Sequence, residues 1–93
     1  MPTIKSVENK IFRVEGVKVQ FMQNGRKVRL DREIRPQYEC RRMLKNSASV
    51  KNFIELRLKD QFSGFDFVVL KKDGHIASGQ TKMSTVRDTF LEN

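Results

Sequence analysis

Lys18, Arg26, Lys27, Arg29, Arg41, Arg42 and Lys45 are the residues of this chain best placed to do chemistry, with Lys51 and Arg35 as secondary members. That chemistry is charge rather than reaction. Each phosphate neutralised by a cation releases counterions. Arginine also grips phosphate with two N–H groups and stacks on bases. Residues 1–51 hold 13 Lys and Arg against 5 Asp and Glu, whereas residues 52–93 hold 6 of each. The whole net charge of +8 therefore lies in the first half. An even spread would read as a solvated surface. Confinement to one segment makes an electrostatic face, and such faces favour polyanions.

The partner expected on this basis is nucleic acid, DNA or RNA, bound without catalysis, metal or cofactor. Tyr38 and Met22 are the candidate stacking or apolar contacts beside the cations. The second functional class is a small protein–protein interaction module, an inhibitor or adaptor that docks its basic face on an acidic partner. A homo-oligomer joined through sheet edges would double the basic surface. Steep salt dependence with loose sequence preference separates the first class from the second.

Reaction chemistry finds little footing. His75 is the only histidine and falls in a turn. No His/Cys pair has metal spacing, no Gly-rich loop could cradle phosphates, and no Ser/His/Asp arrangement follows from spacing. A small basic ribonuclease would need His75 beside a carboxylate and an arginine, and nothing in the sequence places them together. The protein is expected not to be an enzyme.

Asn24-Gly25 is a strong two-residue turn signal, because a type I′ turn needs positive φ at both positions. It predicts a β-hairpin over residues 17–32. Phe21 then faces Val28, Val19 faces Leu30, Met22 faces Lys27, Gln20 faces Arg29 and Lys18 faces Asp31. Val17, Val19, Phe21, Val28 and Leu30 form the core face. Lys18, Gln20, Met22, Lys27 and Arg29 form the outer one. Ile11, Phe12 and Val14 read as a short preceding strand, with Gly16 at the bend.

Pro36 suits the first turn of a helix, so residues Gln37 to Lys45 read as one, with Tyr38, Arg41, Arg42 and Lys45 on a broad shared face. Residues 50–60 carry two signals. Ser49 could cap a helix bearing Val50, Phe53, Ile54 and Leu58. The alternation Ile54-Glu55-Leu56-Arg57-Leu58-Lys59 argues strand, and a strand over 53–59 is the expectation. Phe65 to Lys71 is a further strand. Asp73-Gly74 is a second I′-type turn, and His75 to Met83 returns as a weaker strand with a bulge at Gly79. Thr85 with Asp88 resembles a capping box for a terminal helix carrying Val86 and Phe90.

The sum is an α+β fold: one small domain, 1–93, with an antiparallel β-sheet built from hairpins at Asn24-Gly25 and Asp73-Gly74, one central helix and one short C-terminal helix. Two alternatives compete. A winged helix would use 37–45 and 49–62 as its helices and 65–82 as its wing. A small β-barrel is the other. Phe65-Asp66-Phe67-Val68 followed by Ser84-Thr85-Val86 resembles the end of the Sm-like RNA-binding motif. In the bacterial RNA chaperones of that kind basic residues precede the second element, whereas Gly79, Gln80, Thr81, Lys82 and Met83 stand here.

With 93 residues the chain has room for one thin core. Cys40 is the only cysteine, which excludes an intrachain disulfide and reads as a small apolar residue. Met1 to Ser6 has no apolar signal core, and Phe67-Val68-Val69-Leu70 is too short to span a bilayer. The expected compartment is the cytoplasm.

Overall fold

A computed structural model describes residues 2–34 and 38–91. It opens with a helix, α1 (Ile4–Glu15), where a strand was expected at Ile11–Val14. The reason is local. Thr3 and Ser6 form a reciprocal capping box, with Ser6 N donating to Thr3 Oγ1 at 3.2 Å and Thr3 N to Ser6 Oγ at 3.0 Å. Ile4, Val7, Ile11 and Glu15 follow at helical spacing and are buried. Gly16 ends the helix at φ 75°, its amide donating to the Phe12 carbonyl.

The chain then enters a three-stranded antiparallel sheet of β1 (Lys18–Gln23), β2 (Arg26–Lys27) and β3 (Asp66–Leu70), in the order β2-β1-β3. Asn24 at φ 54° and Gly25 at φ 74° make the expected I′ turn. The expected register holds at Met22–Lys27, and Val28 N donates to Phe21 O at 3.0 Å. There the hairpin stops. The reciprocal donor, Phe21 N, turns to Glu8 Oε2 of α1 at 3.1 Å, so a side chain takes the place of the next strand carbonyl. Leu30 therefore does not face Val19, nor Asp31 Lys18. Leu30 is exposed, and its carbonyl and that of Arg32 accept from the first amides of α1 instead. Val19 pairs with Val69 and Lys18 with Leu70.

Residues 38–45 form no helix. Pro36 and Gln37, on which that expectation began, lie outside the described residues. Side chains from elsewhere satisfy this segment's backbone: Glu39 N donates to Gln61 Oε1, Leu44 N to Glu15 Oε1, and Arg42 O accepts from Arg57. Of these groups, Leu44 N is the one that a helix over 37–45 would need for its own hydrogen bond, and Glu15 takes it.

Residues 50–61 are helical rather than extended. Ser49 caps them, its side chain accepting from Asn52 N. They run as α2 (Val50–Phe53), a π-helical stretch (Ile54–Leu58) and α3 (Lys59–Gln61). The buried residues Val50, Phe53, Leu58 and Phe62 are spaced three, five and four apart. A gap of five suits a π turn, which hydrogen-bonds i to i+5, as Lys59 N does to Ile54 O. Leu56 is left 65% exposed, so the alternation at 54–59 was not a strand face.

After β3 the expected return strand shrinks to a single bridge, Leu70–Ile76. A turn does form at Asp73-Gly74, but only Gly74 has positive φ, so it is not type I′. Residues 79–82 serve α2 instead, with Val50 N donating to Thr81 O and Lys51 N to Gly79 O. The last helix, α4 (Met83–Leu91), starts two residues before the expected box and carries Val86 and Phe90 inward.

Phe21 is the centre of the core. Phe62, Phe65 and Phe67 meet it at ring centroid distances of 5.2, 5.5 and 4.8 Å. The architecture is α+β with hairpin-built antiparallel strands. An open three-stranded sheet is not a closed Sm-like barrel. With 38–45 non-helical, the helix pair of a winged helix is missing too. Among the described residues no helix is long and apolar enough to cross a membrane.

Candidate nucleic-acid interface

The β1–β2 turn presents Arg26 and Lys27 to solvent. Val28, 6% exposed, anchors the chain just beyond them and leaves Arg29 outward. Together with Gln23, Asp31 and Arg32 these residues line an open cleft of about 510 Å³. Arg29 pairs with Asp31 at 3.0 Å, and both side chains are well exposed, so the pair holds weakly and a phosphate can compete for it. Arg32 is fixed more firmly. Its Nη1 donates to Gln23 Oε1 at 2.9 Å, and its guanidinium lies 5.3 Å from the Phe65 ring centroid. Among the described residues no carboxylate pairs with Arg26 or Lys27.

Lys18, at the far end of β1, shares an outward face with Met22, and hence with Lys27 opposite Met22. Both lysines act on Glu8. Burial pushes the Glu8 carboxyl above its ordinary value of 4.5, while the Phe21 amide and the charges of Lys27 and Lys18 pull it back down.

Arg41, Arg42 and Lys45 are exposed on the irregular segment between Tyr38 and Asn46. The fold does not bring them to the cleft. The chain after the hairpin is tied to the start of α1, where Lys5 N donates to Leu30 O. The irregular segment is tied to its end, where Leu44 N donates to Glu15. A helix of 12 residues separates the two, roughly 18 Å at 1.5 Å per residue. Lys51 is exposed on α2, beside Gly79. Arg35 lies outside the described residues.

Sequence reasoning missed what lies between them. The face of α1 turned away from the core carries Lys5, Lys10 and Arg13 and no carboxylate, because Glu8 and Glu15 both turn inward. The signal was present: the Thr3–Ser6 box and the Ile4, Val7, Ile11 spacing define a helix whose outer face is basic.

A buried polar hub sets the shape of the irregular segment. Glu15 is fully buried. Its carboxylate accepts from Tyr38 Oη, from Leu44 N at 2.8 Å, from Arg57 Nη1 at 2.5 Å and from Arg87 Nη2 at 3.3 Å. Arg87 also donates to the Glu15 carbonyl and to Asn46 Oδ1, each at 2.6 Å. Tyr38, expected to stack on a ligand, is buried in this hub instead. Burial, and then the Glu15 carboxylate, push its hydroxyl well above the usual tyrosine range. Burial works against the charge of Arg57, but its bonds to Tyr38 and Glu15 overcome this and raise it. Burial lowers Arg87, with Glu15 acting in the opposite sense.

No family model, curated protein or solved structure matches this chain.

The remaining candidates are modest. Met22 is half-buried, its sulfur accepting from Gln20 Nε2 at 3.2 Å, so it offers little to a ligand. His75 lies exposed in its turn, with Nδ1 2.9 Å from Asp73 Oδ2. The His75 N–H groups hold the Asp73 carboxyl below its usual range.

Proposed function

We propose that this protein binds nucleic acid without catalysing a reaction, through phosphate contacts from Arg26, Lys27 and Arg29 at the hairpin cleft. The supporting observation is the arrangement of charge along one route over the surface. The cleft lies at the start of α1, the outer face of α1 adds Lys5, Lys10 and Arg13, and Arg41, Arg42 and Lys45 lie at its end. Lys18 flanks the route on the sheet face. The two carboxylates of α1 point away from it. A backbone bearing a charge every 3.4 Å per strand would pass roughly five phosphates between the two ends. Affinity then comes from many weak charge contacts and favours no particular sequence.

The test is fluorescence anisotropy of nuclease-treated protein against labelled single-stranded RNA, single-stranded DNA and duplex DNA at two salt concentrations. Binding at micromolar or tighter affinity with a steep salt slope is expected. The double variant Lys27→Ala/Arg29→Ala should flatten the slope of log K against log salt by about two units on duplex DNA. An unchanged slope removes the hairpin from the site. No binding at low salt sinks the proposal.

A further inference from the structure

Resting on the phosphate contacts proposed above, we infer that the hairpin cleft also seats one unpaired nucleobase on the guanidinium of Arg32, so that the polyanion it recognises is a single strand. Arg32 differs from the cations around it. Arg26 and Lys27 have no carboxylate partner among the described residues, and Arg29 holds Asp31 only through an exposed pair. Those side chains can follow a phosphate. Arg32 is pinned. Its Nη1 donates to Gln23 Oε1 at 2.9 Å, and its guanidinium rests 5.3 Å from the Phe65 ring centroid. Phe65 is itself held edge to face against Phe21 at 5.5 Å. Arg32 is nonetheless exposed and lines the cleft. A planar cation held still in this way is a surface on which a base can stack. Little side-chain freedom remains to be lost on binding, because folding has already removed it.

The cleft suits a base better than one more phosphate. Val28 gives it an apolar patch, and Asp31 places a carboxylate in it. A like charge there disfavours an anion but not a neutral ring. The volume of about 510 Å³ lies within the range of sites that enclose small organic groups, about 300–1,000 Å³. One N–H of Arg32 is already committed to Gln23, so less of its fork is left for gripping phosphate than in Arg26 or Arg29. In a duplex the base faces are covered by their neighbours, whereas a single strand can turn one outward. Stacking uses the face that every base has, so the loose sequence preference is kept. Tyr38 is buried and Met22 half-buried, which leaves Arg32 as the flat group beside the phosphate contacts.

The experiment titrates the full chain with three labelled ligands: a short single-stranded RNA of mixed sequence, the same strand with its bases removed, and the duplex of that sequence. The intact strand should bind about tenfold tighter than the abasic one. Arg32→Lys keeps the charge and loses the plane. It should weaken the intact strand about tenfold, leave the abasic strand and the duplex as they were, and keep the slope of log K against log salt. Gln23→Ala leaves the guanidinium in place but unpinned, and should give a smaller loss confined to the intact strand. If Arg32→Lys does not fold, Gln23→Ala and the abasic strand carry the comparison. Equal affinity for intact and abasic strands overturns the base seat and leaves the phosphate contacts standing. So does an equal loss on all three ligands in Arg32→Lys, which would make Arg32 one more phosphate contact. Absence of binding to any ligand at low salt removes the phosphate contacts, and the base seat with them.

Discussion

Glu15 is the residue on which most of the irregular segment depends. It sits fully buried among a hydroxyl, a backbone amide and two guanidinium groups. Removing one partner of such a cluster leaves uncompensated buried charge. Glu15→Ala should cost about 3–5 kcal/mol in urea unfolding, and should release Tyr38 to Asn46 to fast amide exchange before the sheet opens. Glu8 makes the opposite case. Its carboxyl is raised in the folded state, so the native protein holds that proton more tightly than the unfolded chain does. The stabilising contribution is complete below the ordinary value of 4.5 and is lost as pH rises through the raised value. Glu8→Gln keeps an acceptor for the Phe21 amide and no longer ionises. Its melting temperature should match the parent near pH 4 and exceed it at pH 7. A variant less stable than the parent at pH 7 would show that the charge itself is needed. Neither role was legible in the sequence. Glu15 falls on the buried stripe of α1, four residues after Ile11, but only the distant positions of Phe21, Arg57 and Arg87 give Glu8 and Glu15 their partners.

Among the elements, the segment from Val50 to Gln61 shows how a local pattern can mislead. Ser49 announced a helix, and it is the cap. The alternation of Ile54, Leu56 and Leu58 announced a strand, and the π turn explains it. One additional residue in the turn carries Leu58 round to the core and leaves Leu56 in solvent. Deleting Leu56 would place Phe53, Leu58 and Phe62 at regular four-residue spacing, as an α-helix requires. The deletion variant should therefore unfold cooperatively, with unchanged helical circular dichroism. A deletion in an ordinary α-helix would swing every later apolar residue by about 100°, so loss of cooperative unfolding would refute this account of the turn. The Asn24-Gly25 hairpin was legible because turn chemistry and alternation are both local. Its early end was not, because that depends on Glu8 reaching Phe21 from another element.

At the scale of the whole molecule, folding sharpens the charge asymmetry that the sequence displays. The hub withdraws an acid, Glu15, from the basic half, and withdraws Arg57 and Arg87, the latter almost wholly buried, from the balanced half. The surface is more polarised than the count of charges, which is why the basic half was readable and its layout was not. Composition located the cations, and α1 separates them into two groups. Sites this far apart, each contacting its own phosphates, should act additively. The loss in nucleic-acid affinity on combining Lys27→Ala/Arg29→Ala with Arg41→Ala/Arg42→Ala should equal the sum of the separate losses within about 0.5 kcal/mol. A large departure would mean that the two groups grip one rigid feature rather than points along a strand.

Arg87 lies 72 positions beyond Glu15 in the chain, yet it holds the carbonyl and carboxylate of that residue together. During synthesis from the N-terminus, the two strands of the Asn24-Gly25 hairpin emerge together, so their mutual contacts need no later part of the chain. The segment bearing Arg41, Arg42 and Lys45 has to wait until α4 has been made. A nascent chain stalled before Arg87 would thus expose the basic segment unshaped, with Glu15 short of one of its counter-charges.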